Sequence, residues 1–171
     1  MAKAWEVPGL TGGARFREAA GRVILTRWRE MMNYRDGTLL GDDIEELHAM
    51  RVSSRRLRAA MDAFAEAFPA KSFRPLLHQV KEITDVLGDA RDLDVAVEGL
   101  NRELAGVPDD ERPGIEGIIA RYRHDRAAED PRIAALFDRL EAERFEKRLA
   151  TYVARHTGVR LERLKPRPPG G

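Results

Sequence analysis

Apolar residues along this chain recur every three or four positions, and nowhere do they alternate strictly with polar ones. That period belongs to helices packed on one face, so the sequence predicts an all-α protein. The first helix is expected over Ala14–Tyr34, with Phe16, Ala20, Val23, Ile24, Trp28 and Met31 on its apolar side. Arg35-Asp36-Gly37 predicts a turn, and Asp42 followed by Glu45 resembles a capping box opening the second helix. That helix has the clearest pattern. Leu47, Met50, Ser54, Leu57, Met61, Phe64 and Phe68 follow one another at three and four residues, and Pro69 stops it. A third helix is expected over Phe73–Leu87, carrying Leu76, Val80, Ile83 and Leu87, with Gly88 as its terminating glycine. Asp89 would cap a fourth, marked by Leu93, Val97, Leu100, Leu104 and Val107. Pro113 and Pro131 each suit a first helical turn, which predicts a fifth helix over Pro113–Ala128 and a sixth from Asp130 to Arg155. The expected architecture is an antiparallel four-helix bundle extended by a helical hairpin, about six helices in all. Residues 1–12 are expected to form a flexible N-terminus, 13–156 a single domain, and 157–171 a disordered tail rich in Pro and Gly.

Composition narrows the class. With 171 residues, 43% of them hydrophobic and 35% charged, the chain suits one core surrounded by amphipathic helices. The absence of cysteine excludes disulfide scaffolds and thiolate metal sites. No apolar run approaches the ~20 residues of a membrane span. The opening MAKAWEVPGLTGG lacks the apolar segment of a secretory signal, so a cytoplasmic protein is expected.

The net charge of +1 conceals an uneven distribution. Between Leu47 and Lys81, seven basic residues face two acids; from Glu82 to Glu146, 18 acids face nine arginines. Such a split points to a localised anion site rather than a uniformly basic surface. The core of the basic stretch is His48-Ala-Met-Arg51-Val-Ser-Ser-Arg55-Arg56-Leu-Arg58. At 100° per residue, His48, Arg51, Arg55 and Arg58 fall within an arc of about 80° beside the apolar stripe, and Arg56 falls outside it. The row rises about 15 Å along the helix. No carboxylate interrupts it, and arginine forks make charge-assisted, often bidentate, bonds to phosphate. On the third helix Arg74, His78 and Lys81 repeat the pattern at i, i+4 and i+7. A row containing a histidine is expected to hold a polyanion more tightly as pH falls towards mild acidity.

His48-x-x-Arg51-Val-x-x-Arg55-Arg56-x-Arg58, then Lys81, then Leu87-Gly88-Asp-Ala-Arg91-Asp92-Leu-Asp94-Val95, resembles the CHAD family, named for conserved histidines in an α-helical domain. The resemblance implies a helical bundle that binds inorganic polyphosphate along a basic channel, without catalysis or cofactor, in the cytoplasm and at polyphosphate granules. It assigns phosphate contacts to His48, Arg51, Arg55, Arg56, Arg58 and Lys81, with Arg91 as a further candidate; Asp92 and Asp94 would hold arginines or cap a helix. Full-length members contain two such halves, and this chain carries one motif. A homodimer completing the basic channel is therefore expected, joined through Ile115, Ile118, Ile119 and Tyr122 with Ile133, Leu136, Phe137 and Leu140; the competing reading folds this hairpin back over the first four helices and gives a monomer with an open basic groove.

Other chemistries fit less well. Glu45 and His48 have the ExxH spacing of di-iron bundles, but no other histidine is preceded by a carboxylate at i−3. His124-Asp125 suggests a metal-dependent phosphohydrolase on two residues alone, with arginines on either side. Neither a GxxxxGK[ST] loop nor HExxH is present. Neither an enzyme nor a metal site is expected. A nucleic-acid-binding or protein-interaction bundle is the alternative, and the lack of Trp or Tyr on the basic helix argues for a ligand without bases.

Overall fold

The computed structural model describes residues 3–166. Six α-helices follow in order: α1 (Phe16–Met32), α2 (Arg35–Leu40), α3 (Ile44–Ala63), α4 (Ala70–Leu104), α5 (Arg112–Ala142) and α6 (Phe145–Thr157), with short 3₁₀ turns at Ala65–Ala67 and Leu161–Arg163. No strand occurs among the described residues, so the all-α reading holds. Ile24, Leu25, Trp28 and Met31 of α1 meet Leu47, Met50, Leu57 and Met61 of α3, the first half of α4, the second half of α5, and Phe145, Leu149 and Val153 of α6. Ser53 and Ser54, the buried polar residues of α3, donate their hydroxyls to Ala49 O and Arg51 O, each at 2.8 Å.

Several boundaries differ from the pattern read in the sequence. Arg35-Asp36-Gly37 opens the short helix α2 instead of a turn. There a Cβ on Gly37 would lie 2.6 Å from Glu46 Cγ, so the Glu46 side chain of α3 packs over this glycine. The reversal comes at Gly41, at φ 75°. Asp43, not Asp42, caps α3, its Oδ1 accepting from Glu45 N at 2.9 Å. The expected third and fourth helices are one. Leu76, Val80, Ile83, Leu87, Ala90 and Asp94 continue a single buried stripe, so Gly88 lies inside α4 and does not end it. A mid-helix glycine costs about 1 kcal/mol, less than an unbroken apolar face returns. Pro131 likewise lies inside α5. It forgoes one backbone hydrogen bond, but Ile119 on one side of it and Ile133, Leu136, Phe137 and Leu140 on the other are all buried along the same helix. The break falls instead at Arg144, the only non-glycine residue with positive φ among those described (51°).

The extending hairpin therefore comprises the second half of α4 and the first half of α5. From Val95 to Pro131, Ile119 is the one buried residue. Glu82–Arg139, Asp89–Arg132 and Asp94–Arg126 ion pairs set these two helices antiparallel. The terminal segments are also more engaged than expected. Trp5 is buried, and Arg22 Nη1 donates to Pro8 O at 2.9 Å. After Thr157, Val159, Leu161 and Leu164 enter the core, and Arg29 Nη1 donates to Leu164 O at 2.6 Å. The domain thus takes in at least Trp5 to Leu164; residues 1–2 and 167–171 of the expected flexible ends lie outside the described residues.

Candidate functional site

The buried stripe of α3 fixes which of its polar residues reach solvent. With Leu47, Met50, Leu57 and Met61 in the core, His48, Arg51, Arg55 and Arg58 emerge along the edge towards α4. The two helices run antiparallel in a register set by two ion pairs. Arg51 Nη2 donates to Asp92 Oδ1 at 3.2 Å, and Arg58 Nη1 lies 3.6 Å from Asp85 Oδ1 and its Nε 4.0 Å from Asp62 Oδ2. Gly88 lies beneath the Arg51 guanidinium, where a Cβ would sit 3.7 Å from Nη2. Arg55 is exposed, and no hydrogen bond or ion pair among the described residues engages its side chain. Together with Arg58, Ala59, Asp62 and Thr84 it lines a depression of about 240 Å³. His48 is half-buried, and its Nδ1, like Arg51 Nε, is sequestered without a hydrogen-bond partner among the described residues.

Along α4, Lys81 is half-buried while Arg74 and His78 are exposed. Their spacing places them on one edge of α4, the edge that carries Asp85 and Asp92. Because α3 and α4 are antiparallel, these three residues prolong the row beyond Arg58, giving a cationic track about 30 Å long. The structure thus brings seven of the nine sequence-predicted residues to one face: His48, Arg51, Arg55, Arg58, Arg74, His78 and Lys81.

The other two lie elsewhere. Arg56 Nη1 donates to Glu30 Oε1 at 2.7 Å, and Arg27 bonds the second oxygen of the same fully buried carboxylate. This three-residue ion cluster joins α1 to α3. Arg91 Nη1 donates to Glu98 at 3.0 Å, one face round from Asp92. Asp92 and Asp94 do hold arginines as expected, but in different ways. Asp92 is exposed on Arg51, whereas Asp94 is buried and accepts from Arg126 Nε at 3.0 Å. Burial raises the Asp94 carboxyl above the usual carboxylate range. Arg126 opposes that rise without cancelling it, and Oδ2 has no partner among the described residues. Asp89 pairs with Arg132 at 3.7 Å instead of capping a helix.

Sequence reasoning missed Asp85 as part of this face. The available signal was spacing: Asp85 and Asp92 are seven apart, as are Arg51 and Arg58. It missed, too, a second depression of about 560 Å³ on α6, lined by Arg144, Lys147, Arg148 and Arg155 with Glu143, Thr151 and Tyr152. No cluster of three His, Cys, Asp or Glu side chains able to hold a metal occurs among the described residues, and none of their helices is long and apolar enough to cross a membrane.

Comparisons with known proteins agree with the motifs. The "Uncharacterized protein Rv2226" of Mycobacterium tuberculosis (strain ATCC 25618 / H37Rv) is 33% identical over 69 residues, and the "Uncharacterized protein MT2285" of Mycobacterium tuberculosis (strain CDC 1551 / Oshkosh) is 32% identical over 69. Each match takes in 40% of this chain and 14% of the relative, so the chain spans a small part of the length of the curated relatives it matches. No solved structure matches. The family model described as the CHAD domain matches residues 22–169, from the second turn of α1 through the terminal segment, and the chain belongs to that family.

Proposed function

We propose that this chain binds inorganic polyphosphate along the α3–α4 face as a non-catalytic module, using no cofactor or metal. The observation that carries the reading is the row Arg51, Arg55 and Arg58 on the solvent edge of α3, prolonged by Lys81. It lies in a chain whose family is linked to polyphosphate binding. A linear polyanion can satisfy successive guanidinium groups along such a track, and each charge-assisted contact contributes about 1.5–3 kcal/mol. The α3 face carries no Trp or Tyr to stack on a base, which favours phosphate chains over nucleic acid. Binding of labelled long-chain polyphosphate, challenged with a single-stranded oligonucleotide of equal charge, tests the reading. Polyphosphate should displace the oligonucleotide at far lower concentration than the reverse. Equal or opposite competition would favour a nucleic-acid-binding bundle.

The reading extends to a place beside cytoplasmic polyphosphate granules and to a second copy that supplies a second basic face. The interface expected from the sequence loses five of its eight residues, because Ile119, Ile133, Leu136, Phe137 and Leu140 are 2–6% exposed. Val95 and Ile118 on the hairpin, 51% and 46% exposed, remain to join two copies. Sedimentation near 19.3 kDa would contradict the homodimer.

A further inference from the structure

Asp85 and Asp92 occupy an unusual place, because they sit on the same face as the cations that the proposed ligand would use. Arg51 pairs with Asp92, and Arg58 pairs across the helices with Asp85 besides its own-helix neighbour Asp62; the two arginines lie seven residues, or two helical turns, apart. Between them Arg55 is exposed, in the depression it lines with Ala59, Asp62 and Thr84, and no ion pair among the described residues engages it. The face therefore alternates: a neutralised arginine, an unopposed one, and a neutralised one. The two carboxylates are no buried struts. The side chains of Asp85 and Asp92 are 71% and 74% exposed, and exposed ion pairs of this kind contribute little to stability and open readily. Helices α3 and α4 are held instead by Leu57, Met61, Val80, Ile83 and Leu87 in the core.

We propose that Asp85 and Asp92 are internal competitors for the anion face, holding Arg58 and Arg51 in the free protein and being displaced by the phosphate chain. The proposal rests on the polyphosphate reading and specifies how that face is tuned. A chain first meets Arg55, which no carboxylate among the described residues holds. It then reaches about 5–6 Å along the helix in either direction to Arg51 and Arg58, exchanging a carboxylate for a phosphate oxygen at each. A single phosphate ion cannot bridge Arg51 and Arg58, about 10 Å apart along the axis. It therefore cannot offset the opening of both pairs. Each exchange subtracts the worth of one exposed ion pair from the affinity.

Asn substitutions remove the competing charge and keep the shape. Titrating labelled long-chain polyphosphate at fixed low salt, Asp92→Asn and Asp85→Asn should each tighten binding roughly 2- to 5-fold, and the double variant roughly 4- to 25-fold. A general loss of negative charge would also tighten binding, so the decisive arm is a double-mutant cycle. In an Arg51→Ala background the Asp92→Asn gain should vanish, while the Asp85→Asn gain, acting through Arg58, should persist. Thermal melting should move little in either Asn variant. A gain from Asp92→Asn that survives undiminished without Arg51 overturns the proposal, as does binding by the wild type with no gain in the double variant. Both outcomes leave the polyphosphate reading standing. If neither wild type nor double variant binds, the reading and the proposal fall together.

Discussion

Arg55 and Arg56 are neighbours in one basic motif, yet the structure gives them opposite roles. Arg55→Ala removes an exposed guanidinium that has no partner among the described residues. Its folding stability should stay within about 0.5 kcal/mol of wild type, the usual range for such surface changes. Relief of like-charge repulsion at i, i+3 and i, i+4 could even raise it slightly. Arg56→Ala removes one of two cations from Glu30, which is 0% exposed. The lost charge-assisted bond contributes about 1.5–3 kcal/mol, and removing one partner of a buried pair costs more when the remaining charge is left alone. Arg27 still holds the other oxygen, so the lower range applies. For a chain of this size that is a fall in Tm of roughly 3–12 °C. Paired thermal melts and polyphosphate titrations separate the roles. Arg55→Ala should melt with wild type and bind about tenfold or more weakly, and Arg56→Ala should melt early. An Arg55→Ala protein that unfolds, beside an Arg56→Ala protein that melts with wild type, would refute the assignment of both side chains.

Three further outcomes follow from the packing. Because burial raises the Asp94 carboxyl, the native state binds its proton more readily than the unfolded chain does. Asp94 therefore favours folding below its ordinary range and loses that contribution as pH rises through its folded-state value. The stability of Asp94→Asn relative to wild type should grow from about pH 4 to about pH 7 in denaturant titrations; a decrease would show that Arg126 outweighs burial. Gly21→Ala would place a Cβ 2.3 Å from Thr157 Oγ1 and 2.9 Å from Val159 Cβ, so it should destabilise by roughly 1–3 kcal/mol and loosen the segment after α6 in hydrogen exchange; wild-type stability would contradict that packing. Arg144→Gly relieves a left-handed residue at φ 51° and should raise stability by about 1 kcal/mol in thermal melts; a fall in Tm would mean that the Arg144 side chain holds the α5–α6 turn.

The sequence and structure agree where a single helix decides the outcome. The α3 stripe from Leu47 to Met61 is regular enough to fix the outward face, and the same wheel already set Arg56 outside the row that Arg51, Arg55 and Arg58 form. Breaks between helices were less legible, because Gly88 and Pro131 carry local stop signals that an uninterrupted buried stripe overrides. The terminal segments were missed for the opposite reason. Trp5, Val159, Leu161 and Leu164 are anchored singly, without a period to betray them. The Arg51–Asp92 and Arg58–Asp85 pairs depend on the register between two helices, which no one helix encodes.

Under the polyphosphate reading, anions bind on α3 and α4 and not wherever the protein is basic. Titration of labelled long-chain polyphosphate against three proteins tests it: wild type, an Arg51→Ala/Arg55→Ala/Arg58→Ala variant, and a charge-matched Lys147→Ala/Arg155→Ala/Arg160→Ala variant on exposed residues at and just beyond α6. The α3 variant should lose about 100-fold or more in affinity and show a shallower dependence on salt, while the second should stay within about threefold of wild type. Equal losses in both variants, or an α3 variant that binds as wild type does, would contradict the account.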